Sequence, residues 1–372
     1  MASDGEISYR AAGVDYETLD AGKRSALAQA LATSGLMAAR GATADDASRG
    51  EPAFVFDFAG RTVGFVLEGL GTKSVIARQV LEELGSNRFA DVAYDTVAAI
   101  VNDLCCVGAL PLVVNAYFAT GASAWYADGE RSAALLAGWR RACEDAGATW
   151  GGGESPSLPG LVSDADIELA GCAVGAVPEG REAVLGRELG PGDEIVLVSS
   201  TGLHANGASL ARALADGLPE RWATRLASGA RFGDALLEPA PVYVPLVASL
   251  LEDGVPVRYL SHITGHGLLK LMRPARELGY VVRRLPEVPE VLAFMVARAG
   301  LDERAAYATF NMGAGFAVYC AAGSGATVVE RAARLGLGAI VAGEVVPGPR
   351  RVVLEPVGVV FEDDAMDLTP GR

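Results

Sequence analysis

The stretch V-L-E-G-L-G-T-K-S, residues 66 to 74, places a carboxylate (Glu68), two glycines (Gly69 and Gly71), a hydroxyl (Thr72) and an ammonium (Lys73) directly after an apolar run. Glycines let backbone N–H groups approach phosphate oxygens, Lys and Thr add charge and a hydroxyl, and a neighbouring carboxylate can hold Mg²⁺. The spacing is not that of the Walker loop, which has four residues between its first glycine and Gly-Lys. From this stretch alone, a metal-and-phosphate site and an ordinary strand-to-helix turn with a charged rim both stay open.

Four further clusters share its character. V-N-D-L puts Asn102 and Asp103 at the end of an apolar helix, where burial of the pair is expensive unless a metal or a cap satisfies it. The alternative is a polar helix end meeting water. G-G-G-E-S-P-S-L-P-G, residues 151 to 160, brings Glu154 straight out of a strand, where α/β sheets tend to place ligands; a long turn has the same composition. S-S-T-G-L-H-A-N-G-A-S-L, residues 199 to 210, sets His204 and Asn206 at a helix start able to receive an anion. S-H-I-T-G-H-G-L, residues 261 to 268, carries His262, Thr264 and His266. A lone histidine is most often a hydrogen-bonded structural residue, but the chain has only three, and all fall in two Gly-containing strand-to-helix joints. That clustering raises their standing as site residues.

The elements that must position these groups follow from periodicity. A helix is expected over Lys23 to Arg40 with Asp20 as its cap, then a hairpin of P-A-F-V-F-D-F and T-V-G-F-V-L around Ala59-Gly60-Arg61. Apolar spacing predicts a helix over Asn87 to Cys106, followed by the strand P-L-V-V-N-A-Y-F-A, a helix near Arg131 to Ala146 and a strand reaching Gly151. Residues 178 to 193 are dense in turn formers, which divides the chain into 1–185 and 186–372. The second half again mixes strands (Val255 to Leu260, Tyr280 to Arg284, Gly315 to Cys320) with helices (Asn206 to Leu214, Leu268 to Leu278, Ala326 to Leu335). The fold class is α/β (α+β) in two domains, in keeping with 372 residues.

Composition narrows the function. A net charge of -15 argues against a nucleic-acid coat and requires any anion site to concentrate Lys, Arg and backbone N–H groups locally. No apolar run approaches the ~18 residues of a membrane span, and the start M-A-S-D-G-E-I has no secretory character, so a cytoplasmic address is expected. Five scattered cysteines without C-x-x-C spacing read as reduced core residues, and the histidine spacing does not suit zinc.

In order, I-S-Y-R-A-A-G-V-D, G-L-G-T-K, V-N-D-L with V-G-A-L-P-L, Y-F-A-T-G, G-G-E-x-x-x-L-P-G, S-S-T-G-L-H-A-N-G-x-S-L, H-I-T-G-H-G and T-F-N-M-G-A-G resemble the aminoimidazole ribonucleotide synthetase family, the phosphoribosylformylglycinamidine cyclo-ligases. The resemblance spans residues 7 to about 316 and implies two α/β domains, with N-terminal strands of two subunits meeting in a barrel at a homodimer interface. It implies ATP-dependent ring closure on a small-molecule substrate: an amide oxygen of formylglycinamidine ribonucleotide is phosphorylated, an amidine nitrogen attacks and phosphate leaves. By position, Glu68 and Asp103 would hold Mg²⁺. Lys73 with Gly69, Gly71 and Thr72 would hold the ATP phosphates, and Asn102 and Glu154 would complete the surroundings. His204, Asn206, His262 and Thr264 would face substrate, a histidine taking the proton that ring closure releases.

The chain also departs from that pattern. Glu68 stands where the family has Asp, Ala116 replaces an Asp, Ser157 a second Glu, and His266 the middle glycine of a T-G-G-G turn. The family's basic glycine-rich flap is replaced by M-A-A-R-G-A-T-A-D-D-A-S-R-G. Its Asp45-Asp46-Ala47 resembles the Asp-Asp-Ala of thiamine-monophosphate kinase relatives and makes Asp46 a third metal ligand. Redistributed carboxylates, a changed substrate and lost catalysis are the three outcomes such changes imply.

Overall fold

Two sheets organise residues 16–363, the part of the chain that the computed structural model describes. The I-S-Y-R-A-A-G-V-D motif lies outside these residues. The first half contributes β1 (Ala42–Ala44), β2 (Phe54–Phe58), β3 (Arg61–Gly69), β4 (Leu110–Thr120), β5 (Thr149–Glu154) and β6 (Ile167–Ala176), in the order β1-β2-β3-β6-β4-β5. All neighbours are antiparallel except β4 and β5. Helices α1 (Tyr16–Leu31), α2 (Lys73–Leu84), α3 (Phe89–Cys105) and α4 (Gly129–Asp145) accompany them.

One face of this sheet is covered and the other is not. Along β6 buried and half-buried residues alternate, as a strand packed on one face requires. On β3 the Val66 side chain and the Gly64 backbone are buried on the inner face, while Phe65 and Leu67 are 39% and 69% exposed on the outer face. Gly64 and Gly175 pair directly across β3 and β6. A Cβ at either would press on the Leu104 side chain, 3.0 Å and 2.9 Å away. The paired glycines therefore let the end of α3 settle close on the sheet.

The second half holds β7 (Glu194–Ser199), β8 (Val257–His262), β9 (Leu278–Val282), β10 (Ala314–Cys320), β11 (Ala339–Pro347), β12 (Arg351–Leu354) and β13 (Val359–Glu362), ordered β13-β12-β9-β11-β7-β10-β8. Helix α5 (Ala208–Gly217) follows the loop after β7. Because β10 runs antiparallel to both neighbours, its start lies beside the ends of β7 and β8, pairing Ala314 with Ser199 and Phe316 with His262. Three of the sequence motifs thus share one sheet edge.

Helix α3 ties the halves together. Asp95 Oδ1 accepts from Ala240 N at 2.7 Å; two turns on, Asn102 accepts from Tyr243 N at 2.8 Å and donates to Pro241 O at 2.9 Å. Among the described residues no helix is long and apolar enough to cross a membrane.

Two expected helices are corrected. The first spans Tyr16–Leu31 with Asp20 inside it rather than at its cap, and Ser34–Arg40 is a separate 3-10 segment. Thr33 donates its hydroxyl and its N–H to Ala30 O, a local bond that competes with helix continuation. The second, Leu268 to Leu278, is a 3-10 turn, Gly267–Met272, ended before Pro274 and followed by β9.

Candidate active site

Where β3 ends, Glu68 faces Asp103 of α3. Asp103 is buried in the last turns of α3, and His262 Nδ1 lies 2.6 Å from its Oδ1. Burial pushes the Glu68 carboxyl up to about 7; the charge of Asp103 and a hydrogen bond with it add to the rise against the pull of Lys270. Burial also opposes the charge on Asp103, but the hydrogen bond and charge of His262, then Lys270 and Arg273, outweigh it and hold that carboxyl low. The two acids therefore divide their roles: Asp103 is the anion and Glu68 keeps a proton near neutrality.

Lys270, on the 3-10 turn, is 8% exposed and its ammonium donates to Thr264 Oγ1. Burial lowers it to about 8, with Asp103 resisting. Arg273, three residues on, donates twice to Gly50 O and approaches Glu51 at 3.7 Å. It also lines a cleft of about 470 Å³ with Arg49, Arg187, Arg276, Asp46 and Glu51. Four guanidiniums against two carboxylates make a local basic surface on an acidic chain, the concentration of cations that an anion site on this protein needs.

The remaining sequence candidates scatter around this centre. Lys73 is fully buried and its ammonium sits 2.5 Å from Asp95 Oδ2, so it holds the core of α2 and α3 together. Thr72 approaches Ser209 Oγ at 3.3 Å, and Gly71 has the positive φ of 70° that a side chain would strain. Gly69 closes β3 with ordinary clearance for a Cβ. Asn102, 0% exposed, has both ends of its amide bonded to the backbone of 241 and 243. Glu154, exposed at the end of β5, caps its own neighbour, Ser155 N.

His204 is buried at φ 60° with Nδ1 unpartnered among the described residues; burial, then His262 and Lys73, hold its pKa well below the ordinary histidine value. Asn206 is half-buried in the loop that leads to α5. Asp46 opens a 3-10 turn on the wall of the arginine cleft, while Asp45 pairs with Arg187. Lys270 and Arg273 belong to no motif in the sequence and fall within the helix expected over Leu268 to Leu278.

The residues present suit Mg²⁺. Glu68 and Asp103 offer hard oxygen donors close enough to hydrogen-bond, and the described residues contain no closed group of three or more His, Cys, Asp or Glu. Mg²⁺ is commonly held by one or two carboxylates and completed by phosphate and water.

Comparison with known proteins is decisive on ancestry. The description "AIR synthase related protein" fits residues 50–177 (N-terminal domain) and 190–355 (C-terminal domain). The phosphoribosylformylglycinamidine cyclo-ligase of Anaeromyxobacter sp. (strain Fw109-5) is 36% identical over 303 residues, 78% of this chain and 82% of that one. The chain belongs to the AIR synthase family. A second member, the cyclo-ligase of Methanothermobacter thermautotrophicus, is 34% identical over 77% of this chain and 81% of its own. Among solved structures, the hydrogenase maturation protein HypE in complex with ATP has a TM-score of 0.60 at 17% identity, covering 82% and 85% of the two chains. Thiamine monophosphate kinase from Aquifex aeolicus has 0.55 at 16%, covering 83% and 92%. At such identities these two bear on the fold alone.

The departures from the AIR synthase pattern take different places in the fold. Glu68 is one of the acid pair, Ala116 sits within β4 opposite Gly171 and Gly153, and Ser157 bridges to Thr120. His266 occupies a left-handed turn (φ 69°) just before Lys270, a conformation that suits the family's glycine better.

Proposed function

We propose that this protein is an ATP-dependent cyclo-ligase that converts formylglycinamidine ribonucleotide to aminoimidazole ribonucleotide. The observation that carries the reading is the identity of 36% with a curated cyclo-ligase over 82% of its length. The acid pair, with Asp103 buried and Glu68 half-buried, and the buried histidine and lysine supply chemistry to match. Residues 1–185 would contribute the acids and residues 186–372 the histidines and Lys270.

In that reaction the amide oxygen takes the terminal phosphoryl group, ADP leaves, the amidine nitrogen attacks the activated carbon, and phosphate departs with the former amide oxygen. Glu68 and Asp103 would hold Mg²⁺, which supplies charge neutralisation on the phosphates when bound. Asp103 fixes the His262 ring through Nδ1, leaving Nε2 to take the proton that the nitrogen loses. The arginine cleft would receive the anionic parts of the ligands in place of Lys73, whose ammonium is held by Asp95, and Asp46 on its wall would serve as a metal ligand.

A paralogue that activates a different amide or carboxylate by the same chemistry is the second reading. The changes at Glu68, in the acid pair, and at His266, on the turn that leads to Lys270, favour it. One assay separates the two: ATP, Mg²⁺ and formylglycinamidine ribonucleotide are supplied and ADP and aminoimidazole ribonucleotide are followed. Robust turnover supports the purine reaction, and its absence in folded protein that binds ATP overturns it. Nucleotide binding without hydrolysis for any amide or carboxylate offered would indicate a non-catalytic homologue.

The outer face of the first sheet, with Phe65 and Leu67 exposed, supports a homodimer formed through β3 and its neighbours.

A further inference from the structure

The chain contains two buried lysines with opposite surroundings. Lys73 has a carboxylate at 2.5 Å, and that carboxylate's other oxygen is bonded to Ala240 N. Lys270 donates to the neutral hydroxyl of Thr264, and no described carboxylate lies within the 4.0 Å of an ion pair, although Glu68 and Asp103 act on it from further away. An ammonium carries three donors, and a buried cation without a matching anion is unfavourable unless something else meets it. Arg273 on the same side adds a second cation. Arg273 is met by Glu51 and Gly50 O, so it is the Lys270 ammonium, bonded to a neutral hydroxyl, that is open to an anionic oxygen from outside the chain.

We propose that Lys270, oriented by Thr264, binds the terminal phosphoryl group of the nucleotide and holds it during transfer. This rests on the ATP-dependent reading above and adds a residue with a role that Lys73 cannot fill from its position. As the amide oxygen forms its bond to phosphorus, the bond from phosphorus to the bridging oxygen breaks and its electron pair leaves with ADP. Lys270 keeps its proton throughout and stabilises charge on the non-bridging oxygens. A diphosphate lacks the group that Lys270 meets, so the contribution is specific to the triphosphate.

Calorimetry with the β,γ-methylene analogue of ATP and with ADP, in the presence of Mg²⁺, tests this on wild type, Lys270→Met, Lys270→Arg and Thr264→Val. The triphosphate-to-diphosphate affinity ratio should fall about tenfold or more in Lys270→Met, the effect of one lost charge-assisted hydrogen bond. Lys270→Arg should recover part of the ratio. Thr264→Val, close in shape and milder should the lysine variant fail to fold, should lower it by about threefold, a smaller loss because the charge remains. An unchanged ratio in Lys270→Met, or in Thr264→Val if the former does not fold, overturns the assignment while leaving ATP-dependent turnover to be judged separately. A wild-type protein that binds neither nucleotide overturns both this and the reading beneath it.

Discussion

His262 Nδ1 lies 2.6 Å from Asp103 Oδ1, joining the end of a C-terminal strand to a helix of the N-terminal half through a buried bond. The acid that would bind metal is thus also the acid that orients the histidine, so neither role can be altered alone. Replacing Asp103 by Ala removes the partner of His262 and the anion that acts on Lys270 from further away, and should lower the unfolding free energy by about 3 kcal/mol. Urea denaturation measures the loss, and turnover should vanish with it.

Glu68 and Lys270 give stability an unusual pH profile. Glu68 holds its proton up to about 7 in the fold, against 4.5 in its ordinary state, so its contribution is fully present below 4.5 and lost as pH rises through 7. Lys270, lowered to about 8 from 10.5, contributes stability present above 10.5 and lost as pH falls through 8. These two groups together are least favourable between about 7 and 8. In EDTA, the gap between wild type and Glu68→Gln should open in favour of the variant from pH 5 to pH 8 and then level off. Mg²⁺ at pH 8 should stabilise wild type and leave Glu68→Gln unchanged. A gap that does not vary with pH would show that Glu68 ionises normally.

Lys73→Met should be a stability variant before it is anything else. It leaves Asp95 buried without its cation, at a cost of about 3 to 5 kcal/mol. Pairing it with Asp95→Asn should restore part of the loss in thermal denaturation. Wherever the double variant folds, its ATP affinity should stay within about threefold of wild type, since no phosphate contact has been removed.

Leu67→Lys should convert a dimer to a monomer. The residue is 69% exposed on the outer sheet face, and a charge there would have to be desolvated against its copy. Sedimentation equilibrium reads the change, and the monomer should keep its far-ultraviolet spectrum. An unaltered mass would place the contact on another face.

The resemblance to the cyclo-ligase family sets Glu68 and Asp103 on the metal and His262 on the substrate, and the structure adds that Asp103 and His262 are in direct contact. The two halves and the strands carrying the motifs follow from periodicity and turn formers. What the sequence concealed depends on distant partners. Gly-Leu-Gly-Thr-Lys has the composition of a phosphate loop, yet the fate of its lysine is decided by Asp95 on the next helix, a relation no spacing rule contains. Asn102 has the look of a ligand, but its amide is filled by backbone 139 and 141 residues away. Lys270 was hidden by its apolar neighbours, and the predicted helix there gave way to a 3-10 turn that turns the ammonium inward.

The bonds from Asp95 and Asn102 to residues 240–243, with the Asp103–His262 contact, set three side chains of one helix into the other half like a tenon into its mortise. A proteolytic cut between residues 177 and 193 would sever the peptide without parting the pieces. The fragments should co-elute as one particle, and the two halves can serve as a split protein whose reunion restores the site.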